Sequence, residues 1–302
     1  MGAIEDIALD LIGGVRGGKP APRLVELRPY LATDYMEDAA RFILDHPNRA
    51  MIISGFFIPV PYKFPLPEGG SVETDGPPGA YFLGEALREL DFHVTYVADR
   101  WFTFVFDGVP GAEDYVEFPM AGFKESDDYS RKLLEEKKPS VVISTERCGL
   151  TRERRYLNMM GWDISEFTAK LDYLLENHPH TVAVGDAGNE LGMGNFAPFI
   201  GDLPHPLAEP AVVPSTKPVL GRSSDWGCYG LVTALSKLAG RDLLPSGKQV
   251  QEFIVDICDR GVVRGDGRKG YEVDNRTLEE QGEVLERLRG VLKDAGIEVR
   301  RG

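Results

Sequence analysis

Short runs of apolar residues, many of them β-branched, alternate along the chain with longer segments whose apolar residues recur every three or four positions. A short continuous apolar run is typical of a buried strand, and the wider spacing is typical of an amphipathic helix. The first pattern predicts strands at 51–54, 93–97, 140–144 and 181–184. The second predicts helices at 80–90, 126–137, 165–177, 226–238, 248–260 and 277–294, with Ser165 capping the third of them.

The order of these elements predicts the fold class. Apolar strands that alternate with helices indicate an α/β fold with three layers, a largely parallel sheet with helices on both faces. No linker rich in proline or serine divides the chain, and the sequence contains no internal repeat. We therefore expect a single α/β domain over 1–302, with excursions from its body near 102–119 and 196–219.

Composition and charge narrow the classes of partner. The sequence is 42% hydrophobic and carries 34 basic against 48 acidic residues, a formal net charge of −14. Because so acidic a chain repels phosphate backbones and anionic lipid, we expect neither nucleic acid nor a membrane surface as a partner. Carboxylates gathered in one cleft could instead hold a divalent cation. The sequence is also compatible with a homo-oligomer.

The cysteines and the N-terminal residues predict the compartment. Cys148, Cys228 and Cys258 form no CxxC pair, and their odd number argues against a disulfide scaffold. The first residues lack the basic region and apolar core of a secretory signal, and the longest apolar run, 50–60, is too short to span a bilayer. We therefore expect a cytoplasmic protein.

Two acidic segments adjoin predicted strands or helices. Glu73 and Asp75 precede a Gly-Pro-Pro-Gly turn that opens a helix, so both carboxylates could face one metal or one substrate. The alternative is a plain loop with an N-capping aspartate. Glu146 and Arg147 follow the strand at 140–144, where they could form an ordinary ion pair or bind a substrate carboxylate through the guanidinium. Cys148 lacks a recognisable histidine partner, so we do not expect a nucleophile there.

The segment 185–195, Gly-Asp-Ala-Gly-Asn-Glu-Leu-Gly-Met-Gly-Asn, carries the most specific signal. Its glycine spacing matches neither the dinucleotide-binding fingerprint nor the phosphate-binding loop of nucleotide hydrolases. The glycines allow close approach of the backbone to a ligand. Asp186, Asn189 and Glu190 supply the oxygen donors that suit Mg²⁺ or Mn²⁺.

Two further segments offer substrate contacts. Ser224 or Asp225 could cap the helix predicted at 226–238, and Asp225 could equally contact a substrate. Asn158 could reach a ligand, whereas Asp163 and Ser165 are better placed to cap the next helix.

These segments, in this order, resemble the D-glutamate cyclase family. The matching motifs cover about three fifths of the chain, from residue 52 to residue 229. They are Gly-Phe-Phe-Ile-Pro at 55–59, Glu-Thr-Asp-Gly-Pro-Pro-Gly at 73–79, Glu-Arg at 146–147 with Gly149, Asn-Met at 158–159 with Gly161 and Asp163, the glycine-rich segment 185–194, and Trp-Gly at 226–227. The chain looks like the stand-alone microbial form. It departs from the family pattern at Cys148, where Pro is common, at Ala187, where Gly is common, and near Asn195, where the family has a Lys.

The resemblance implies a lyase that converts D-glutamate to 5-oxo-D-proline with loss of water. Ring closure requires a polarised γ-carboxyl group and a deprotonated amine, which suits a divalent metal beside an acid/base. On this basis the expected metal ligands are Glu73, Asp75, Asp186 and Glu190, with Mg²⁺ or Mn²⁺ as the cofactor. The expected catalytic residues are Glu146 as acid/base, Arg147 as clamp for the α-carboxylate, and Asp75. The expected substrate contacts are Asn158, Asn189, Asn195 and Asp225.

Two other functions remain open at the level of sequence. The same acids could hold Mg²⁺ in a phosphohydrolase acting on a small phosphorylated metabolite, although 185–195 lacks the lysine or arginine that a phosphate favours. The chain could also be a non-catalytic protein that binds an amino acid. Turnover of D-glutamate would distinguish the cyclase from the phosphohydrolase and from the amino-acid-binding protein.

Overall fold

Six parallel strands form the central sheet of the protein, in the spatial order β5-β4-β1-β6-β7-β8. The structure is a computed structural model that describes residues 2–11, 26–60, 69–203, 207 and 209–300. The strands of the sheet are β1 (Arg49–Ile53), β4 (His93–Ala98), β5 (Tyr115–Glu117), β6 (Val141–Thr145), β7 (Thr181–Gly185) and β8 (Lys217–Leu220). A separate antiparallel pair consists of β2 (Phe57–Pro59) and β3 (Gly70–Val72).

Helices connect and cover the strands. They are α1 (Ala3–Ala8), α2 (Tyr35–Asp45), α3 (Pro77–Glu89), α4 (Thr103–Phe106), α5 (Phe123–Lys137), α6 (Asp172–Glu176), α7 (Ala197–Ile200), α8 (Ser224–Ala239), α9 (Gly247–Arg260) and α10 (Leu278–Asp294). Short 3-10 turns lie at Arg28–Tyr30, Ser165–Phe167 and Gly194–Phe196. Within the described ranges, no helix combines the length and the apolar character that crossing a bilayer requires.

The alternation of side chains along β1 separates two apolar cores. Ala50 and Ile52 belong to a core that includes residues of α2, α3 and α8, while Met51 and Ile53 belong to a core that includes residues of α5 and α6. Successive side chains of a strand point to opposite faces, so helices cover both faces of the sheet. The predicted α/β fold with three layers and a parallel sheet is confirmed.

The predicted strands and five of the six predicted helices are confirmed, with ends that shift by up to three residues. The continuous helix predicted over 165–177 is wrong. Thr168 is extended and separates the 3-10 turn at Ser165–Phe167 from α6. The Ala169 carbonyl accepts a hydrogen bond from buried Arg147, and its N–H donates to Asp99, so these long-range bonds replace helical ones.

The two predicted excursions are partly wrong, since the end of each belongs to the sheet. The excursion at 102–119 contains β5, which pairs with β4 at one edge. The excursion at 196–219 leads into β8, which pairs with β7 at the other edge. Within the second excursion, positions 204–206 and 208 lie outside the described residues, as do positions 61–68 of the Pro/Gly-rich stretch that follows β1.

The strand order positions the site. From β1 the chain moves outward to β4 and β5, then returns to the opposite side of β1 with β6, β7 and β8. The direction of strand order therefore reverses between β1 and β6. In open α/β sheets, ligands bind outside the carboxyl ends of the strands at such a reversal.

Candidate active site

A cleft of about 140 Å³ lies beyond the carboxyl ends of the strands. Five carboxylate side chains, two amide side chains and several apolar groups line it. The lining residues are Phe56, Ile58, Glu73, Asp75, Glu146, Asn158, Met159, Met160, Asp186, Ala187, Asn189, Gly265 and Asp274. None of these described residues is basic, so no lining side chain offsets the charge of an ionised carboxylate.

The strand ends bring three of the carboxylates together. Glu146 follows β6 directly, Asp186 follows β7 directly, and Asp75 lies in the turn between β3 and α3. One oxygen from each of Asp75, Glu146 and Asp186 lies within 4.8 Å of the others. Hard divalent cations prefer such a set of oxygen donors, so the cluster could hold one.

Burial and mutual repulsion raise the pKa values of these carboxyl groups. Burial raises the pKa of Asp75 to about 7, with a further contribution from the negative charge of Asp274. The pKa of Glu146 is raised well above its usual range, first by burial and then by the charges of Asp186 and Glu190. Burial and the charge of Glu190 likewise raise the pKa of Asp186. Burial and mutual repulsion therefore favour the protonated forms of these groups when no cation is bound.

Glu146 adopts a backbone conformation that is unfavourable for residues with a Cβ. Its φ is +40°, in the left-handed region. Gly76, with φ of +99°, packs against it so closely that a Cβ at position 76 would lie 2.5 Å from the Glu146 Cβ. Strained residues cluster at functional sites, where the surrounding structure enforces them. Within the cluster of Asp75, Glu146 and Asp186, Glu146 is the residue with this strained backbone.

Asp75 caps helix α8 in addition to lining the cleft. Its Oδ1 accepts from the N–H of Asp225 at 2.9 Å, and its Oδ2 accepts from the N–H of Ser224 at 2.9 Å. The side-chain N-cap of α8 is Ser223, whose Oγ accepts from the N–H of Trp226, so the capping role predicted for Ser224 or Asp225 is corrected.

Asp225 does not reach the cleft, which corrects its predicted contact with the substrate. The side chain is fully buried, and its Oδ1 accepts from the N–H of Gly76 at 3.0 Å and of Gly79 at 2.7 Å. Those donors belong to the first turn of α3, which has no acceptor of its own at its N-cap, Gly76. Asp225 therefore caps a helix that is distant in the sequence.

Glu190 does not face the cleft either, so its predicted role as a metal ligand is corrected. Its carboxylate is fully buried and accepts hydrogen bonds from the N–H groups of Asp186, Ala187 and Gly188, at 2.6 to 3.1 Å. The side chain folds back onto its own loop and shapes it. It thereby orients Asp186 and Asn189, the two polar residues of the loop that do line the cleft.

Arg147 points away from the cleft, and its predicted role as a substrate clamp is corrected. Its Nη2 lies 2.7 Å from Asp99, and both side chains are 1% exposed. It also donates to the carbonyl oxygens of Gly55 and Ala169. Glu146 and Arg147 are consecutive, yet of the two only Glu146 lines the cleft. The guanidinium holds the loops around the site together.

The predicted asparagines divide into two groups. Asn158 and Asn189 line the cleft, although the Asn158 Oδ1 is already engaged by the N–H groups of Met160 and Trp162. The Asn158 amide nitrogen remains as a donor. Asn195 pairs with the backbone of Ser215 through both ends of its amide, so its predicted substrate contact is corrected to a structural one.

Sequence reasoning missed Asp274, Gly265 and the apolar wall of the cleft formed by Phe56 and Ile58. Asp274 and Asn275 both have positive φ and form a tight turn closed by the pairing of Val273 with Arg276. Arg222 holds the Asp274 carboxylate at 2.6 Å. The Asp-Asn pair is a turn signal that was available in the sequence, but its proximity to the cleft was not.

Comparisons with known proteins point to one family. A sequence model described as D-glutamate cyclase-like, C-terminal, matches residues 22–289. The mitochondrial D-glutamate cyclase of Homo sapiens is 27% identical over 214 residues, which cover 65% of this chain and 34% of that protein. The chain thus spans about a third of the length of this relative. An exopolyphosphatase-related protein from Bacteroides fragilis aligns over 88% of this chain and 58% of its own, with 12% identity and a TM-score of 0.44.

Proposed function

The chain belongs to the D-glutamate cyclase-like family, and from this premise we propose that it is a metal-dependent lyase that converts D-glutamate to 5-oxo-D-proline and water. The observation that carries the proposal is the cluster of Asp75, Glu146 and Asp186 in a small cleft. The described residues that line this cleft include no lysine or arginine. The human relative bears the name D-glutamate cyclase. The cluster supplies acidic groups suited to that chemistry.

The reaction requires two protons to move. A bond forms between the α-nitrogen and the γ-carbon of glutamate, and a bond between that carbon and a carboxylate oxygen breaks. The ammonium group loses two protons, and the departing oxygen gains two and leaves as water. A carboxyl group whose pKa lies near the working pH is suited to carry protons in both directions. Glu146 has a raised pKa and a fixed position, so we assign it this transfer.

Asp75 and Asp186 are the side chains that would hold Mg²⁺ or Mn²⁺, and Glu73 borders the same cleft. Their all-oxygen donor set fits these ions better than zinc. When bound, the ion supplies Lewis-acid polarisation of the γ-carboxyl group. The amide groups of Asn158 and Asn189 are available to orient the carboxylates of the substrate, while Phe56 and Ile58 exclude water from one side.

The ammonium group of an amino acid complements this cleft. Glu73 adds a carboxyl group beyond the cluster, and Asp274 adds another whose charge Arg222 offsets at 2.6 Å. The acidic lining therefore suits the ammonium group of an amino acid, which a simple phosphate ester does not offer. In addition, the first turns of α3 and α8, which could have bound a phosphate, are capped by Asp225 and Asp75. The phosphohydrolase alternative loses its support.

The test is a direct assay. The protein is incubated with Mn²⁺ or Mg²⁺ and either enantiomer of glutamate, and 5-oxoproline is measured by chiral chromatography. D-glutamate should be converted faster than the spontaneous rate, and L-glutamate more slowly than D-glutamate. Glu146→Gln preserves size but cannot carry a proton, so it should lower kcat by about 10²-fold or more.

Glu153→Gln is the matched control, because Glu153 is exposed. It should retain full activity. Equal rates with and without the protein would contradict the proposed activity. Saturable binding of D-glutamate without turnover would instead favour the amino-acid-binding alternative.

A further inference from the structure

Ser224 contacts two carboxylates of the cleft, although no sequence pattern assigned it a role there. It is the first residue of α8 and is fully buried. Its N–H donates to the Asp75 Oδ2 at 2.9 Å, and its hydroxyl donates to the Glu146 Oε2 at 2.5 Å. Hydrogen bonds from a hydroxyl to a carboxylate are among the strong ones in proteins.

The Ser224 hydroxyl has no part in capping the helix. Ser223 supplies the N-cap oxygen of α8, and the backbone N–H of Ser224 is already bound to Asp75. Apart from Glu146, the contact recorded for the hydroxyl is the Val184 carbonyl oxygen at 3.3 Å, which is longer and weaker. The main partner of the hydroxyl is thus the carboxylate of Glu146.

Glu146 is consequently fixed at three points. Its backbone is held in the left-handed region, its Cβ packs against the backbone of Gly76, and its Oε2 accepts from Ser224. The first two contacts determine where the side chain starts, but they leave its terminal torsions free to rotate. Ser224 supplies a contact that determines where the carboxylate ends, and the side chain of Glu73, which also hydrogen-bonds Glu146, supplies another.

We propose that Ser224 is a positioning residue for Glu146. Its hydroxyl holds the Oε2 of the carboxylate and so fixes the orientation in which the group meets the substrate. The inference rests on the proposed function, since it deepens the role of Glu146 in that reaction. A misplaced carboxylate slows proton transfer without removing the binding groups of the cleft, so the loss of the hydroxyl should affect kcat more than KM.

The test compares Ser224→Ala with Ser223→Ala in two measurements. The first is a crystal structure of each variant and of the unchanged protein, which records the position of the Glu146 carboxylate. The second is kcat and KM for D-glutamate with Mn²⁺. Ser223→Ala is the matched control, because it removes a neighbouring buried hydroxyl and a helix cap but no contact to Glu146.

We expect Ser224→Ala to displace the Glu146 carboxylate or spread it over several rotamers, and to lower kcat about tenfold or more at a KM within about twofold of the original. Ser223→Ala should leave both the carboxylate and kcat unchanged. An unmoved carboxylate in Ser224→Ala would overturn the inference, and so would equal losses of kcat in the two variants. If the unchanged protein does not cyclise D-glutamate, the proposed function fails, while the crystal structures still decide whether Ser224 positions Glu146.

Discussion

Asp75 and Asp225 cap each other's helices. The Asp75 carboxylate accepts from the N–H groups of Ser224 and Asp225 at the start of α8, and the Asp225 carboxylate accepts from Gly76 and Gly79 at the start of α3. A carboxylate at a helix N-terminus satisfies free N–H groups and interacts favourably with the helix dipole. The exchange couples the two helix starts that flank the candidate site.

The first prediction concerns this exchange of caps. Asp225→Ala removes the acceptor for the N–H of Gly79 and one of the two acceptors for the N–H of Gly76, so it should lower the free energy of unfolding by about 1–3 kcal/mol. Asp225→Asn should lower the free energy of unfolding by less, since the amide oxygen of asparagine still accepts these hydrogen bonds. The raised pKa of Asp225 also means that burial already favours its neutral carboxyl form. Urea denaturation followed by circular dichroism measures both variants.

A matched control for the capping variants is Asp34→Ala. Asp34 precedes α2 but makes no side-chain capping bond. Its replacement should change the free energy of unfolding by less than about 0.5 kcal/mol. If Asp225→Ala lowered the free energy of unfolding as little as this control, the exchange of caps would make no measurable contribution to stability.

The second prediction concerns the cation. Clustered carboxylates repel one another, and an ion that binds only the folded state stabilises it by an amount that grows with the logarithm of its concentration above Kd. Mn²⁺ should therefore raise the Tm of the protein. Asp186→Asn should weaken this response and leave the metal-free protein equally stable or slightly more stable. Thermal unfolding across a series of Mn²⁺ concentrations gives both quantities.

Asp202→Asn is the control for the cation experiment, because Asp202 is exposed and does not line the cleft. It should keep the full response to Mn²⁺. An Asp186→Asn variant that unfolds, or a protein whose Tm does not respond to any divalent ion, would mean that these acids serve only to stabilise loops.

The third prediction is a pH dependence of stability in the absence of metal. Asp75 has a pKa of about 7 in the folded protein, raised mainly by burial, against about 4 in an unfolded chain. The folded state therefore binds more protons between these two pH values. The contribution of Asp75 to the free energy of unfolding is fully present below about pH 4 and is lost as the pH rises to about 7. Asp75→Asn should reduce the slope. Urea denaturation at several pH values, with a chelator present, measures the effect.

The affinity for Mn²⁺ should change in the opposite direction over the same pH range, because the ion competes with protons for the carboxylates. Titration calorimetry at pH 5, 6 and 7 should thus show binding that strengthens as the pH rises. Stability that is independent of pH across this window would contradict the raised pKa of Asp75.

The fourth prediction separates structure from substrate binding at Arg147. Its guanidinium bonds Asp99, Gly55 and Ala169 at once, which one ammonium group cannot reproduce. Arg147→Lys should lower the free energy of unfolding by about 1–3 kcal/mol, and Arg147→Met, which leaves the buried Asp99 without its cationic partner, by about 3–5 kcal/mol. The KM for D-glutamate should stay the same in Arg147→Lys.

Arg152→Lys serves as the comparison for Arg147, since Arg152 is exposed on the same loop. It should leave stability unchanged. A large rise in KM for Arg147→Lys at unchanged stability would restore the guanidinium as a group that binds the substrate.

The sequence by itself determined the layers of the fold and which carboxylates lie at the ends of its strands. Apolar runs and helical spacing are local properties, so β1, β4, β6 and β7 and most of the helices could be predicted from neighbours in the chain. Glu146 and Asp186 follow buried strands directly, and parallel strands end at one edge of the sheet. Their convergence could therefore be predicted as well.

Only the tertiary structure decided which acidic and basic residues face the cleft. Arg147, Glu190 and Asp225 have the side chains of a ligand or a clamp, yet each is buried and engaged elsewhere. Ser224 and Asp274, in contrast, come to the cleft from segments remote in the chain. The physical reason is that a polar side chain binds whichever donors or acceptors surround it after packing. The partners of Arg147 and Asp225 include residues 92 and 146 positions away, and no local pattern records them.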